Sequence, residues 1–548
     1  MILISPVTDV HFEGSVNPGR HLGDKTEPAS CLFFPANAPM PPTIYILLLL
    51  PLFVLLRWKN ARKLPFPPGP RKLPVVGNLF DIPTKGHLWL EYDEMSRRYD
   101  SDIIHLGTFG TSIVILSSAK AVHDILEKRS SKYSDRPRTV MLGELMGWRS
   151  TSLCRPYDDI WKAQRRIFMQ AIPPSDVKRF HPKQISATHD LLRVLARSDD
   201  IMKDLHTWAA VFIMDVTYGI QGREAEPFLK TAIETLDSVA VAGTPGAFYV
   251  DQFPILKYVP EWFPGATFKR KAREWNLLRI EMTEGAYSVT KAQTALGTAT
   301  ECLASIALQQ IDPTKDILQQ EEFIKTASVT AYGGGSDTTV AALGAFLLAM
   351  LMFPGVQAKA HRELDEVLSP GDLPTFSDEP TLPYIAAIIR EVIRYQPVTP
   401  LAFPHLSTED DIYRGYFIPK GSVVMPNVWS ILHNEEDYPE PDVFNPSRFL
   451  DENGRLDPSV KDPISAAFGF GRRACAGKHI ALASLWIAAA SILTCYVVAP
   501  ELDGEGEPVT PKGLWYPGPT LFNHPLPFKC RFIPRSKDVE ASLEVKLS

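Results

Sequence analysis

Ala467-Phe468-Gly469-Phe470-Gly471-Arg472-Arg473-Ala474-Cys475-Ala476-Gly477-Lys478 runs directly into Ile480-Ala481-Leu482-Ala483-Ser484-Leu485-Trp486, an apolar run that predicts a buried helix. A cysteine at a helix N-terminus faces unpaired backbone N–H groups and the positive end of the helix dipole, which favour the thiolate. Such a thiolate can ligate a metal. Gly471 and Gly477 permit the sharp chain path that a sulfur bound to a large flat cofactor requires, Arg473 adds a cation, and Phe468 would cover the sulfur's other side. A lone Cys is more often a small core residue, but five patterned positions in ten, the cysteine among them, argue against that use here. Gly469-x-Gly471-x-x-Ala474 also satisfies a dinucleotide fingerprint, yet Pro463-Ile464-Ser465-Ala466 is a poor strand and no strand–helix–strand pattern surrounds it. A zinc site would need nearby Cys or His partners, and only His479 is close.

A second signal lies upstream, in an apolar helix expected over about 321–350 and centred on Ala331-Tyr332-Gly333-Gly334-Gly335-Ser336-Asp337-Thr338-Thr339-Val340. Interior glycines cost a helix about 1 kcal/mol each relative to alanine, so something other than helix stability selects three in a row. A gap in the helix wall explains them. Asp337 and Thr338 need partners in so apolar a stretch, and a Thr hydroxyl can replace a backbone bond and distort the helix locally. A third signal is Glu391-x-x-Arg394 on an otherwise apolar helix, where a buried ion pair is expected.

The spacing Phe468-x-x-Gly471-x-Arg473-x-Cys475-x-Gly477 resembles the haem-binding loop of the cytochrome P450 family, the haem-thiolate monooxygenases. Gly334-Gly335-x-Asp337-Thr338-Thr339 is similar to that family's helix signature. The resemblance implies that Cys475 is the proximal iron ligand of haem b and that Phe468, Gly471, Arg473 and Gly477 line the cofactor. It implies a gap at Gly334 for dioxygen, with Asp337 and Thr338 delivering protons. Trp161 and Arg165 match the family's Trp-x-x-x-Arg, which holds a haem propionate; alone they read as a cation–π pair on a helix surface. His405 reads equally as a propionate contact or a surface histidine. Glu391, Arg394 and Arg448 match a structural ion-pair network that fixes the cysteine loop.

Length and charge narrow the rest. The chain has 548 residues, a net charge of −6 and a pI near 6.1, which argues against a nucleic-acid partner. Cys31, Cys154, Cys302, Cys475, Cys495 and Cys530 show no pairing-like spacing, and no Asn-x-Ser/Thr acceptor with a permitted middle residue occurs, so a reducing, cytosol-facing domain is expected. Residues 1–40 lack periodicity and read as a disordered extension. Within the anchor expected at 41–58, the apolar run 44–56 spans about 20 Å of a ~30 Å hydrocarbon core, with Trp58 as an interfacial residue. Arg57, Lys59, Arg62, Lys63, Arg71 and Lys72 carry no acid among them and should stay cytoplasmic; a buried core helix is the other reading of 44–56. The stretch 59–72 reads as a basic, proline-rich hinge, 73–535 as the catalytic domain, and 536–548 as a polar tail.

The expected fold is mainly α with a small β region, a single large haem-thiolate domain behind an N-terminal membrane anchor, facing the cytosol from the endoplasmic reticulum. A hairpin is expected over 103–116 and a helix over about 119–128. The apolar segment 248–263 reads as a lid that either dips into the membrane or packs in the core. No nucleotide-binding pattern is visible, so the resemblance implies an NADPH-dependent diflavin reductase as electron donor, docking through Lys162, Arg166, Arg472 and Lys478. The substrate class it implies is a lipophilic small molecule. Two readings stand beside monooxygenation: a reductase-independent haem-thiolate isomerase or peroxygenase, and a non-catalytic haem or lipid binder.

Overall fold

The apolar periodic stretches of the sequence fold as helices that bury one another. In the computed structural model these are α1 (Leu88–Arg98), α2 (Asp159–Ala171), α3 (His181–Leu195), α4 (Ile201–Tyr218), α5 (Glu226–Gly243), α6 (Thr267–Leu296), α7 (Leu303–Gln309), α8 (Ile317–Met352), α9 (Pro354–Val367), α10 (Pro383–Tyr395) and α11 (Lys478–Cys495), with short turns between them. The structure describes residues 64–244, 246–509, 511, 521–537 and 539. The expected extension and anchor, residues 59–63 and residues 540–548 therefore lie outside the described residues.

The long central helix α8 begins where Asp316 accepts a hydrogen bond from the Gln319 amide at 3.1 Å, and it ends where Pro354, which cannot continue it, opens α9. Val340, Phe346 and Leu347 of α8 pack in one core with Ile385 and Ile388 of α10 and Trp486 and Ile487 of α11. Both α8 and α11 are long and apolar enough to cross a membrane, but 72% of each apolar window is buried inside the protein. They are core helices.

Strands β1 (Ile103–Thr108) and β2 (Thr111–Leu116) form the expected hairpin. Its turn places Phe109 and Gly110 at φ 45° and 83°, the left-handed pair that matches strand twist. Of β3 (His405–Leu406), β4 (Asp411–Tyr413), β5 (Tyr416–Ile418) and β6 (Val423–Pro426), β6 joins β2 in parallel and β3 antiparallel, giving the order β1-β2-β6-β3. The remaining pairs are β4–β5 and β7 (Tyr496–Pro500) with β8 (Cys530–Pro534). Pro65–Pro70 lies against this β region: the amides of Phe417 and His105 donate to the carbonyls of Pro65 (2.7 Å) and Pro68 (2.8 Å). That part of the expected hinge belongs to the folded unit. The helix expected over 119–128 is α-helical only at Ala119–Val122 and continues as a π-turn over His123–Glu127.

Candidate active site

The loop ahead of α11 closes on itself through the Cys475 amide, which donates to the Phe468 carbonyl at 2.8 Å. Gly471 sits at φ 56°, and a Cβ there would lie 2.2 Å from the Leu126 carbonyl oxygen, so glycine alone lets the loop pack against that residue. Gly477 differs from the expectation for it. Its φ is −83°, and a Cβ would meet Ile480, Phe168 and the Cys475 sulfur at 3.8–4.0 Å, ordinary contacts.

Cys475 is surrounded by protein, yet its side chain remains exposed. The two observations agree if the sulfur borders an internal cleft. Burial pushes its thiol pKa up, while the Gly477 amide, Arg165 and Lys478 pull the other way without prevailing. The helix N-terminus thus fails to lower the pKa as its sequence position suggests, because desolvation outweighs it. A thiol of this kind becomes a thiolate by binding a metal cation.

Three guanidinium groups near the loop make no ion pair among the described residues, although Asp135 acts on two of them from a distance. Arg473 donates to the carbonyls of Ser134 (2.7 Å), Ser152 (3.1 Å) and Arg155 (2.8 Å) and lies 4.5 Å over the Trp161 ring. Burial, then neighbouring Arg136, pushes its pKa down to about 9. Arg136 donates to the carbonyls of Phe403 (2.9 Å) and Pro404 (2.8 Å), its Nε is buried without a partner among the described residues, and burial lowers its pKa to about 10. Half-buried Arg165 makes no hydrogen bond or ion pair among the described residues, and burial lowers its pKa against the pull of Cys475. The residue stacked on Trp161 is Arg473, not Arg165. His405 is 4% exposed, which excludes the surface reading; its Nδ1 lies 2.7 Å from the Tyr133 carbonyl, and burial, followed by Arg136, pushes its pKa down to about 3.

Buried cations without an ion-pair partner are costly; Asp135 and Asp158 offset only part of that cost at Arg136 and Arg473, and the two carboxylates of a haem would offset more. The donor chemistry therefore fits the group that the resemblance implies: a deep open thiol, with cations and buried Trp161 beside it. Arg136 was not singled out from the sequence. Its only signal was an arginine before a proline in the loop ahead of α2, which carries no motif.

Helix α2 links this loop to α8, since Gln164 beside Arg165 donates to the Thr326 hydroxyl at 2.8 Å. The three α8 glycines have separate roles. A Cβ on Gly335 would lie 2.8 Å from Ile213 of α4, and one on Gly333 would lie 3.2 Å from Leu236 of α5, so both serve close packing. Gly334 alone is exposed, with nothing within 4 Å of a Cβ. The opening arises from the missing side chain, because α8 stays continuous here rather than distorting as expected. Thr338 donates its hydroxyl to the Gly334 carbonyl at 2.6 Å, and Thr339 repeats this to Gly335. Asp337 has other partners: its Oδ2 lies 3.2 Å from His524 Nε2 and its Oδ1 4.0 Å from His206 Nδ1.

Behind the loop, Glu391 accepts from Arg394 and, at 3.3 Å, from Arg448, which also binds the Pro439 and Val443 carbonyls at 2.6 and 3.0 Å.

A family model described as Cytochrome P450 matches residues 67–529. The chain is 56% identical over 490 residues to cytochrome P450 monooxygenase 98 of Postia placenta, covering 89% of this chain and 94% of that protein. It is 39% identical over 489 residues to tryptamine 4-monooxygenase of Psilocybe cyanescens, covering 88% and 96%. With this match running across the cysteine loop, the glycine gap and the buried ion pair alike, the chain belongs to the cytochrome P450 family and is an oxidoreductase of the monooxygenase type.

Proposed function

We propose that the protein inserts one atom of dioxygen into a lipophilic small molecule, reducing the other to water with electrons from a separate NADPH-dependent diflavin reductase. The observation that carries this reading is an open, deeply placed Cys475 in a neighbourhood where Arg136, Arg165 and Arg473 make no ion pair among the described residues. Haem b suits that set, with Cys475 as iron ligand, Phe468 over the sulfur, and Arg165, Arg473, Trp161 and His405 at the propionate edge. When bound, the haem supplies the dioxygen-activating chemistry, which a thiolate ligand favours by pushing electron density toward O–O cleavage.

The chain's own residues would do the rest. Gly334 leaves room on the cleft side of α8, and the Thr338 hydroxyl, held by the Gly334 carbonyl, borders that room. Asp337 stands next in sequence with both oxygens facing ionisable partners, a suitable place for a carboxyl that carries protons inward. Exposed Lys162, Arg166 and Arg472, with Lys478, surround the loop and offer a basic face to an acidic redox partner. Reversing these charges should depress reductase-driven turnover and spare peroxide-driven turnover; equal loss of both would refute the docking face.

We place the protein on the endoplasmic reticulum through the apolar segment 41–58, with the catalytic domain in the cytosol. Tyr249, Ile255, Tyr258 and Trp262 are all exposed, which favours membrane contact over core packing for this lid segment. Deleting residues 1–58 should release the protein from a high-salt-washed membrane pellet at least in part.

The deciding experiment is the visible spectrum of the dithionite-reduced protein under carbon monoxide. A strongly red-shifted carbonyl band is expected, absent from Cys475→Ser; its persistence in the variant would overturn the ligand assignment. Product formation that needs neither an electron donor nor dioxygen would favour an isomerase. Turnover with peroxide alone would favour a peroxygenase.

A further inference from the structure

Asp337 is flanked by two histidines that the proton-delivery reading does not use. His206 comes from α4 and His524 from the C-terminal turn, and their rings lie 5.9 Å apart at an interplanar angle of 30°. The two are not equivalent. His524 Nδ1 is buried without a partner among the described residues. A proton there would leave a buried N–H without an acceptor, whereas the neutral tautomer with its hydrogen on Nε2 avoids that penalty and supplies the donor to Asp337 Oδ2. His524 Nε2 thereby serves as the donor to Asp337 Oδ2.

His206 is open to solvent, with 39% of its side chain exposed. Burial lowers its pKa, Asp337 raises it, His524 lowers it, and Asp237 and Asp200 raise it. Nε2 of this part-exposed ring is left as the nitrogen to exchange a proton with water, because Nδ1 faces Asp337 Oδ1. The 4.0 Å between them is one bridging water or one small rotation from a hydrogen bond.

The same atoms do not make a zinc site. The 4.0 Å pair is wider than the about 3.3 Å between ligands of a tetrahedral zinc, and ligation through His524 Nε2 would force a hydrogen onto its orphaned Nδ1.

We propose that His206 is the port through which solvent protons reach Asp337, and that His524 is the positioning residue that holds the carboxylate toward it. The proposal rests on the reading of Asp337 as the acid of the site. A proton from water adds to His206 Nε2, and the Nδ1 proton passes to Asp337 Oδ1, leaving a neutral imidazole and a carboxylic acid. Asp337 releases that proton on its cleft side and returns to the carboxylate. His206 resets by taking a proton from water on Nδ1 and then losing the Nε2 proton to water, so the ring is never anionic.

The test uses the full-length, haem-loaded protein. With nitrogen-15-labelled histidine in the reduced, carbon monoxide-bound form, His524 should show a bare Nδ1 and a protonated Nε2 between about pH 6 and 8. His206 should titrate, with its pKa falling in D337N. A His524 proton on Nδ1, or a His206 titration indifferent to D337N, overturns the proposal. The second readout is product formed per NADPH consumed. Glutamine at 206 can hydrogen-bond but cannot relay a proton, so H206Q should lose about tenfold in coupling with its substrate-induced spectral shift intact. At 524 only a donor is needed, so H524Q should restore what H524L loses. If D337N uncouples the enzyme and H206Q does not, the port is wrong and the acid reading stands. If D337N stays fully coupled, the acid reading falls and takes the port with it.

Discussion

Arg394 and Glu391 form a fully buried ion pair one turn apart on α10, with Arg394 Nε donating to Oε2 at 2.7 Å and Nη2 to Oε1 at 2.9 Å. Arg394 also binds the carbonyls of Leu432 (3.1 Å) and Pro441 (2.8 Å), and Glu391 accepts the Asn445 amide at 2.7 Å. The pair thus clamps the chain that leads into the cysteine loop. Desolvation offsets much of the attraction within such a pair, so its net stabilisation is modest; removing one partner strands the other and costs about 3–5 kcal/mol. Glu391→Leu should lower the thermal midpoint sharply, and the double variant with Arg394→Leu should recover part of that loss. A double variant no better than the single one would show that stranded charge is not the cause.

The α8 glycines predict opposite outcomes for one added methyl group. Gly335→Ala drives a Cβ to 2.8 Å from Ile213 Cδ1, which should cost about 1–3 kcal/mol, and Ile213→Val should relieve it by removing the nearest atom. Gly334→Ala meets nothing within 4 Å and should gain up to about 1 kcal/mol of helix propensity. If its open side is the substrate cleft proposed above, substrate-induced spectral shifts should weaken as the unfolding midpoint rises. Equal midpoints for the two alanine variants would dismiss this division of roles.

What could be read in advance was what lies close along the chain. Residue type and spacing carry the cysteine loop, the Asp337-Thr338 pair and Glu391-x-x-Arg394, and unbroken apolar runs mark α8 and α11. Tertiary convergence could not be read. Arg136, His206 and His524 acquire their roles from neighbours more than a hundred residues away, and β6 pairs with β2 across some three hundred. The three glycines look alike in sequence and differ only in what faces them. The Cys475 thiol was misjudged for the same reason: helix position is local, whereas the desolvation that outweighs it belongs to the folded interior.

The cysteine loop makes its own contrast. Gly471→Ala combines a positive φ with a Cβ 2.2 Å from a backbone oxygen that cannot move cheaply, so the loop must shift. Gly477→Ala introduces neither strain nor a close contact. Purified Gly471→Ala should hold little haem with the red-shifted carbonyl band, while Gly477→Ala should hold at least several times more. The reverse order would mean that cofactor contact, and not chain path, selects these glycines.

Acid should destabilise the protein earlier than its carboxylates alone would. His433 is 9% exposed, and burial pushes its pKa down to about 3, with Arg394 adding to the effect. An unfolded histidine titrates near about 6.5, so between the two values the unfolded chain binds more protons than the folded one. The stability His433 contributes is complete above about pH 6.5 and is lost as pH falls toward 3, by up to about 1.4 kcal/mol per pH unit. His433→Phe keeps the stack on Trp429, now 4.0 Å between ring centroids, but loses the Nδ1 bond to the Trp429 carbonyl. It should therefore be less stable at pH 7.5 and yet lose stability more slowly between pH 6.5 and 5, measured as denaturation midpoints across a pH series. Parallel curves for the variant and the parent would mean that His433 carries its proton in the folded state after all.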